Sequence, residues 1–204
     1  TEAEPMPKTI DYYFTTASPW AFFGHARLHE TAARHGATIN HKPVDLIHTV
    51  FPDTGGLPLK KRSAARQAYR LTELRRWSAF LGIEIHLQPT HFPARTLIAD
   101  HAIMAAIVQG EDPGELALGI MHSLWVDNKD IDDPDAIRQV AQSRGYGDLD
   151  FLAQVDNPEV LERYAANTRE AIERGVFGAP SYVVDGELLW GQDRMEFLDR
   201  ILAS

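Results

Sequence analysis

The chain has 204 residues, of which 44% are hydrophobic and 24% charged, a composition typical of globular proteins and not of disordered or fibrous ones. It carries 29 acidic and 20 basic residues, a net charge of −9, and no stripe rich in lysine and arginine, which argues against nucleic-acid binding. Cysteine is absent, so this chain has no disulfide, no thiolate metal ligand and no cysteine nucleophile.

Neither a targeting segment nor a membrane span is predicted. Residues 1–8 are polar and proline-rich without an apolar signal core, and the predicted fold does not include residues 1–7. The longest apolar run, residues 102–108, is too short to cross a bilayer and is typical of a buried helix. These features predict a soluble cytoplasmic protein without a membrane partner.

The N-terminal part of the chain predicts a β-α-β unit. Residues 9–15 alternate in side-chain character as a half-buried strand does. Residues 20–35 predict a helix, with Ser18 at the N-cap and Pro19 in the first helical position. Residues 37–44 predict a second strand, which would pair in parallel with the first through a right-handed crossover.

The middle of the chain is predicted to be helical. Residues 51–58 contain two glycines and two prolines and predict a loop, and residues 60–81 predict one long helix. Residues 83–87 predict a brief extended segment. Three later helices each begin at a capping residue followed by proline in the first helical position. These pairs are Asp112-Pro113, Asp133-Pro134 and Asn157-Pro158.

The last part of the chain returns to strands. Residues 181–185 and 187–190 flank Asp185-Gly186, a dipeptide that favours a type I′ hairpin turn. A final helix follows, and Asp193 with Glu196 has the spacing of a capping box.

The order of these elements predicts an α/β protein with a thioredoxin-like fold and a large all-helical insertion. Residues 8–50 and 160–204 are assigned to the thioredoxin-like domain. Residues 51–159 are assigned to the inserted helical domain.

Four sequence blocks resemble one family. They are Tyr13-Phe14 with Ser18-Pro19-Trp20, residues 60–77, residues 175–181, and Trp190-Gly191-Gln192-Asp193-Arg194. In these blocks the chain resembles the 2-hydroxychromene-2-carboxylate isomerases, which are DsbA-like and related to kappa-class glutathione transferases. The similarity runs from Thr9 over nearly the whole chain. It departs at Thr15-Thr16-Ala17, where the family leads us to expect an acidic residue followed by an aromatic one.

The resemblance implies a glutathione-dependent isomerase of aromatic-compound catabolism. Its substrate would be a small aromatic carboxylate, 2-hydroxychromene-2-carboxylate, which it would interconvert with trans-o-hydroxybenzylidenepyruvate. A homodimer is implied by the resemblance alone.

Ser18 has two interpretations. On local sequence it is a helix N-cap. A helix N-terminus also stabilises an anion, and the resemblance implies that this anion is the thiolate of glutathione, bonded to the Ser18 hydroxyl. No Gly-x-Ser-x-Gly motif surrounds Ser18, so a serine nucleophile is not supported. We take Ser18 as the catalytic residue and as a glutathione contact.

The C-terminal block offers further candidate contacts to glutathione. Pro180 suits the first position of a strand, but the resemblance implies a cis Ala179-Pro180 bond beside which the tripeptide pairs in extended form. Asp193 is either a capping residue or the carboxylate that holds the ligand's ammonium, and these roles compete. The other residues of this turn assigned to glutathione are Trp190, Gln192 and Arg194.

Basic and aromatic residues are candidates for the substrate site. Lys60 precedes two further cations at the predicted start of the long helix, where positive charge opposes the helix dipole. Such a conflict is typical of an anion site, although a solvated face also explains it. Lys60 is therefore assigned to glutathione or to the substrate carboxylate. Residues assigned to the substrate pocket, each also compatible with a core position, are Trp20, Phe51, His91 and Phe92.

No metal site is predicted. His25 and His29 have the spacing of a two-ligand helix face, but the sequence supplies no third ligand, so both are taken as surface histidines. Two other functions remain open: a kappa-like glutathione transferase that conjugates electrophiles, and a non-catalytic thioredoxin-fold binding protein. The lack of cysteine excludes a dithiol oxidase.

Overall fold

The computed structural model describes residues 7–147 and 150–204, so most of the excluded N-terminal stretch lies outside the described residues. The chain opens as predicted, and its first elements are β1 (Thr9–Phe14), α1 (Pro19–Arg34) and β2 (Thr38–Pro43). Strands β1 and β2 pair in parallel, as a β-α-β crossover requires.

The remaining elements are a helical middle and a C-terminal hairpin. They are α2 (Phe51–Thr54), α3 (Ala64–Leu81), α4 (Leu97–Val108), α5 (Gly114–Trp125), α6 (Pro134–Ser143), α7 (Pro158–Glu173), β3 (Ser181–Val184), β4 (Glu187–Trp190) and α8 (Met195–Ala203). The strands form one sheet in the order β2-β1-β3-β4, with β3 antiparallel to both of its neighbours. This arrangement agrees with the predicted thioredoxin-like fold and helical insertion. None of the described helices is long and apolar enough to cross a membrane.

The start of the long helix differs from the prediction. Helix α3 begins at Ala64, where the hydroxyl oxygen of Ser63 accepts a hydrogen bond from the backbone N–H of Arg66. Lys60 lies in a separate 3-10 turn, Leu59–Lys61. The prediction that Lys60 opposes the dipole of the long helix is therefore wrong, because the Ser63 cap separates Lys60 from the first residue of α3.

Three other local predictions also change. A π-helical turn, Leu46–Val50, precedes the predicted loop, whose first residues form α2, and the predicted extended segment at residues 83–87 forms no strand. At the C-terminus, residues 192–194 form a 3-10 turn and α8 begins without a side-chain cap. The capping box of Asp193 and Glu196 is therefore wrong. Asp185 and Gly186 both have positive φ, as the predicted type I′ turn requires.

The sheet packs against the inserted helices through one continuous apolar cluster. This cluster joins side chains of β1 and α1 to those of α4 and α5, among them Tyr12, Leu28, Ile103 and Trp125. A second cluster, which includes Tyr13 and Phe51, covers the opposite face of β1. Burial on both faces of β1 places the N-terminus of α1 at the junction of sheet and insertion. The division into two domains stays a prediction.

A buried carboxylate ties α4 to the segment that leads into α1. Asp100 is 0% exposed and accepts hydrogen bonds from the Thr15 hydroxyl (3.1 Å), the Thr16 N–H (3.0 Å) and the Thr16 hydroxyl (2.7 Å). Burial raises the pKa of Asp100 to about 6 in spite of these donors. The threonine pair that departs from the family pattern thus has a structural role, since it holds the segment before Ser18.

We expect the variant Asp100→Asn to remove a pH dependence from the free energy of unfolding. The folded-state pKa lies above the ordinary value of 3.8, so the stabilisation by the bound proton is full below about pH 4 and is lost as the pH rises through about 6. The difference between the folded pKa of about 6 and the ordinary value of 3.8 corresponds to about 3 kcal/mol in the free energy of unfolding. Urea unfolding of both proteins between about pH 4 and 7 measures it, with the exposed Asp135→Asn as control. Parallel pH profiles for wild type and Asp100→Asn would contradict this assignment.

Candidate functional site

Ser18 lies at the N-terminus of α1, where it is 8% exposed. Its hydroxyl oxygen accepts a hydrogen bond from the backbone N–H of Ala21 at 3.1 Å, which is the predicted cap. A hydroxyl can donate one hydrogen bond as well as accept two. Among the described residues the Ser18 hydroxyl donates none. The cap therefore leaves its proton free for an anion, and the two interpretations of Ser18 are compatible.

Pro180 lies beside the end of β1. The Ala179-Pro180 bond is cis, as predicted. Ser181 pairs with Tyr13 across the antiparallel ladder, so the two residues before Ser181 lie opposite the segment that leads to Ser18. The carbonyl oxygen of Pro180 accepts a hydrogen bond from the N–H of Gly191 at 2.9 Å. Pro180 and the turn that follows Gly191 are thus held next to each other, at the edge of the sheet where β1 ends and the chain leads to Ser18.

The turn at residues 192–194 also packs against α1. Gln192 is buried, and both its backbone carbonyl (3.0 Å) and its side-chain oxygen accept hydrogen bonds from the Arg27 guanidinium. A Cβ added at Gly24 would lie 2.9 Å from the Cβ of Gln192, so the glycine allows this close approach. The side-chain oxygen of Gln192 is therefore engaged within the protein, and its contact with a ligand stays a prediction.

Asp193, Arg194 and Trp190 form the outer surface of this turn. Asp193 and Arg194 make a half-exposed ion pair of 3.5 Å. The Trp190 side chain is 52% exposed and covers Gly178, where an added Cβ would lie 2.4 Å from the indole nitrogen. Because Asp193 caps no helix, the predicted capping role does not compete for its carboxylate; its ion-pair partner in the described residues is Arg194.

The residues assigned to the substrate differ in their surroundings. Lys60 and His91 are exposed, and His91 Nδ1 lies 3.6 Å from a carboxylate oxygen of Asp130. Trp20 is half-buried on the first turn of α1. Phe51 is buried in the second apolar cluster, which is a core position. Their contacts with substrate stay predictions.

Arg70 is a candidate that the sequence analysis missed. The centre of its guanidinium lies 5.2 Å from the ring centroid of Phe92 and 6.0 Å from that of Trp125. Burial and the charge of Arg62 lower the pKa of Arg70 to about 10, which keeps it charged at neutral pH. No carboxylate in the described part of the chain pairs with it. A partly buried, unpaired guanidinium beside an aromatic ring suits a planar carboxylate ligand.

These groups fit glutathione as a ligand. The free proton of Ser18 and the N-terminus of α1 suit a thiolate. The Asp193 carboxylate suits an ammonium group, and the cations Lys60 and Arg70 suit carboxylates. The sequence carries no signal for Arg70, because its position on the predicted helix does not distinguish it from the neighbouring arginines.

Comparison with known proteins agrees with this fold. A family model described as a DSBA-like thioredoxin domain matches residues 9–203. The chain is 30% identical over 199 residues to a 2-hydroxychromene-2-carboxylate isomerase of Sphingobium xenophagum, covering 97% of this chain and 99% of the relative. It is 25% identical over 218 residues to glutathione S-transferase kappa 2 of Caenorhabditis elegans, covering 98% and 94%.

Two solved structures show the same fold. A 2-hydroxychromene-2-carboxylate isomerase is similar with a TM-score of 0.74 at 22% identity, covering 96% of this chain and 94% of the other. The cytosolic disulfide reductase DsbM of Pseudomonas aeruginosa with GSH is similar with a TM-score of 0.69 at 14% identity, covering 96% and 100%. The relatives support an isomerase or an enzyme like the glutathione transferases. The chain belongs to the DSBA-like thioredoxin domain family and, within it, to the family of the 2-hydroxychromene-2-carboxylate isomerases.

Proposed function

We propose that the protein is a glutathione-dependent isomerase that interconverts 2-hydroxychromene-2-carboxylate and trans-o-hydroxybenzylidenepyruvate. The observation that carries the proposal is the free hydroxyl proton of Ser18 at the N-terminus of α1. In thioredoxin-fold redox proteins a cysteine thiolate of low pKa occupies such a position. This chain has no cysteine, so the thiolate has to come from a bound molecule.

Glutathione, when bound, would supply a thiolate able to add to an unsaturated carbon of the substrate and to leave again, which frees the former double bond to rotate without net redox change. Ser18 would donate a hydrogen bond to the sulfur. The N-terminal N–H groups and dipole of α1 would stabilise the same negative charge and lower the pKa of the thiol. Both act as preorganised electrostatic stabilisation, because they are in place before the substrate arrives.

Arg70 and Phe92 would hold the substrate beside this centre. The substrate is a planar aromatic carboxylate, and a guanidinium binds a carboxylate through two parallel hydrogen bonds. Phe92 lies next to the guanidinium and would contact the aromatic ring. Asp193 would hold the ammonium group of glutathione, a group that the substrate lacks.

The proposed reaction is tested by ultraviolet spectroscopy of 2-hydroxychromene-2-carboxylate with the protein, with and without added glutathione. We expect rapid isomerisation only in the presence of the thiol. Conjugation of a chlorinated nitroaromatic without isomerisation would favour the transferase, and the kappa-class relative makes that the second candidate. If the protein turns over neither compound and does not bind glutathione, the result would favour a non-catalytic binding protein.

We expect Ser18→Ala to lower the isomerisation rate by about 10- to 100-fold, since a hydrogen bond to a charged acceptor contributes about 1.5–3 kcal/mol. The pKa of the bound thiol should rise in parallel, measured by the pH dependence of thiolate absorbance. The variant also loses a helix cap, which costs about 1 kcal/mol of stability.

Asn157→Ala is the matched control for Ser18→Ala. Asn157 caps α7 through a hydrogen bond from the backbone N–H of Glu159 at 2.9 Å, and its loss should destabilise the fold by a similar amount with an unchanged rate. An equal loss of rate in both variants would show that the role of Ser18 is structural only.

We expect Arg70→Gln to raise the KM for the chromene carboxylate by about 10-fold or more, with a smaller change in kcat, because a charged contact to the substrate is lost. Steady-state kinetics measures both constants. Arg66→Gln makes the same charge change one turn earlier on an exposed position of α3 and should leave KM nearly unchanged. Equal effects in the two variants would assign them to net charge and not to a contact by Arg70.

A further inference from the structure

Three histidines from two elements meet on the side of α1 that faces the sheet. His25 and His29 lie one turn apart on α1, and β2 places His41 beside them, so that one ring nitrogen of each lies within 4.8 Å of the other two. His25 is 2% exposed and His41 8%. The prediction of a surface histidine is therefore wrong for His25, and the third ligand that the sequence did not supply is present.

The rings of His29 and His41 approach each other through their Nε2 atoms. Nε2 of His29 and Nε2 of His41 are 3.1 Å apart. With metal–nitrogen bonds of about 2.0–2.1 Å, two imidazole ligands of one tetrahedral Zn²⁺ lie roughly 3.3–3.4 Å apart. The pair therefore has the separation of two ligands on one ion.

His25 already has a partner that could orient it toward an ion. Its Nδ1 lies 3.4 Å from the Tyr12 hydroxyl and its Nε2 lies 2.9 Å from the carbonyl oxygen of Gly114. Histidine ligands commonly donate their second ring N–H to a neighbouring oxygen. His25 does so through its Nε2 N–H to the carbonyl oxygen of Gly114, which leaves the lone pair of Nδ1 as the ligand atom for an ion in place of the long contact with Tyr12.

An acidic side chain lies close to the three imidazoles. Negative charge is available nearby, since the Asp112 carboxylate acts on both His25 and His29. Asp112 also accepts a hydrogen bond from the N–H of Gly114 at 2.9 Å, which holds the carboxylate in place.

An open cavity of about 720 Å³ gives access to this cluster. His29, His41 and Asp112 line it together with Lys42 and Arg163. None of the residues assigned to glutathione or to the substrate belongs to its lining. The cavity is therefore separate from the Ser18 site, and it would allow water or a small anion to reach an ion held by the three rings.

We propose that His25, His29 and His41 bind one divalent transition-metal ion, Zn²⁺ in the first place, with the fourth coordination position open to the cavity. Imidazole ligands suit zinc and its first-row neighbours. Three protein ligands with an open fourth position are the arrangement that catalytic zinc sites use. The ion would be independent of glutathione and of the isomerase reaction.

Cobalt titration tests the proposal on the whole chain. Protein freed of metal with a chelator is titrated with Co²⁺, and we expect one ion per chain with the intense visible bands of four-coordinate cobalt. Zn²⁺ should then displace it and raise the unfolding temperature of the protein. No bound ion, or only the weak spectrum of six-coordinate cobalt, would overturn the proposal.

A variant pair connects the spectrum to the cluster. His29→Gln alters the half-buried member of the three and should weaken cobalt binding by at least about 100-fold. His48→Gln removes an exposed histidine outside the cluster and should leave the spectrum unchanged. Thermal unfolding of the metal-free variants checks that both are folded. Retention of the four-coordinate spectrum in folded His29→Gln would assign the ion to another place and overturn the proposal.

Discussion

The hydrogen bonds between Asp100 and the Thr15–Thr16 segment are the constraint on which the candidate site depends. They join the inserted helices to the end of β1, and they precede the first turn of α1 by two residues. A buried carboxylate with no cation at hand is costly unless donors satisfy it, so this contact holds only if the threonine pair keeps its place. Because the preceding threonines are held, Ser18 also has a defined position, and its free hydroxyl proton is directed by that position.

Features read from neighbouring residues were predictable from the sequence. The caps at Ser18, Asp133 and Asn157 and the turn at Asp185-Gly186 each depend on a few consecutive side chains. The alternation of side-chain character along β1 and the order of the elements were sufficient to predict the fold class. The errors have a local cause too. At Lys60 the predicted helix extended across Ser63, a residue that caps α3, and at Asp193 a correct spacing met a 3-10 turn in place of an α-helix.

Contacts that depend on the sheet register or on helix packing were beyond the sequence. Arg70 became a candidate only when packing of α3 placed its guanidinium over Phe92. Asp100 lies in the otherwise apolar helix α4, and no sequence pattern there distinguishes a buried carboxylate from an exposed one. The family resemblance supplied the roles of Ser18 and Pro180. In the sheet, β1 ends, β3 begins and β4 ends at the same edge, from which the chain continues to Ser18 and to the turn after Gly191.

Helix α1 serves both candidate sites through different parts of its structure. Its N-terminus offers backbone N–H groups and a dipole, which favour an anion, whereas its second and third turns present imidazoles to β2. The parallel pairing of β1 and β2 sets Tyr12 beside His41, and this one step of register determines whether the pair on α1 has a third ligand. A shift by one residue would turn His41 to the opposite face of the sheet. The same crossover that builds the thioredoxin-like fold therefore also assembles the histidine cluster, because it brings His41 beside His29, which lies twelve positions earlier in the chain.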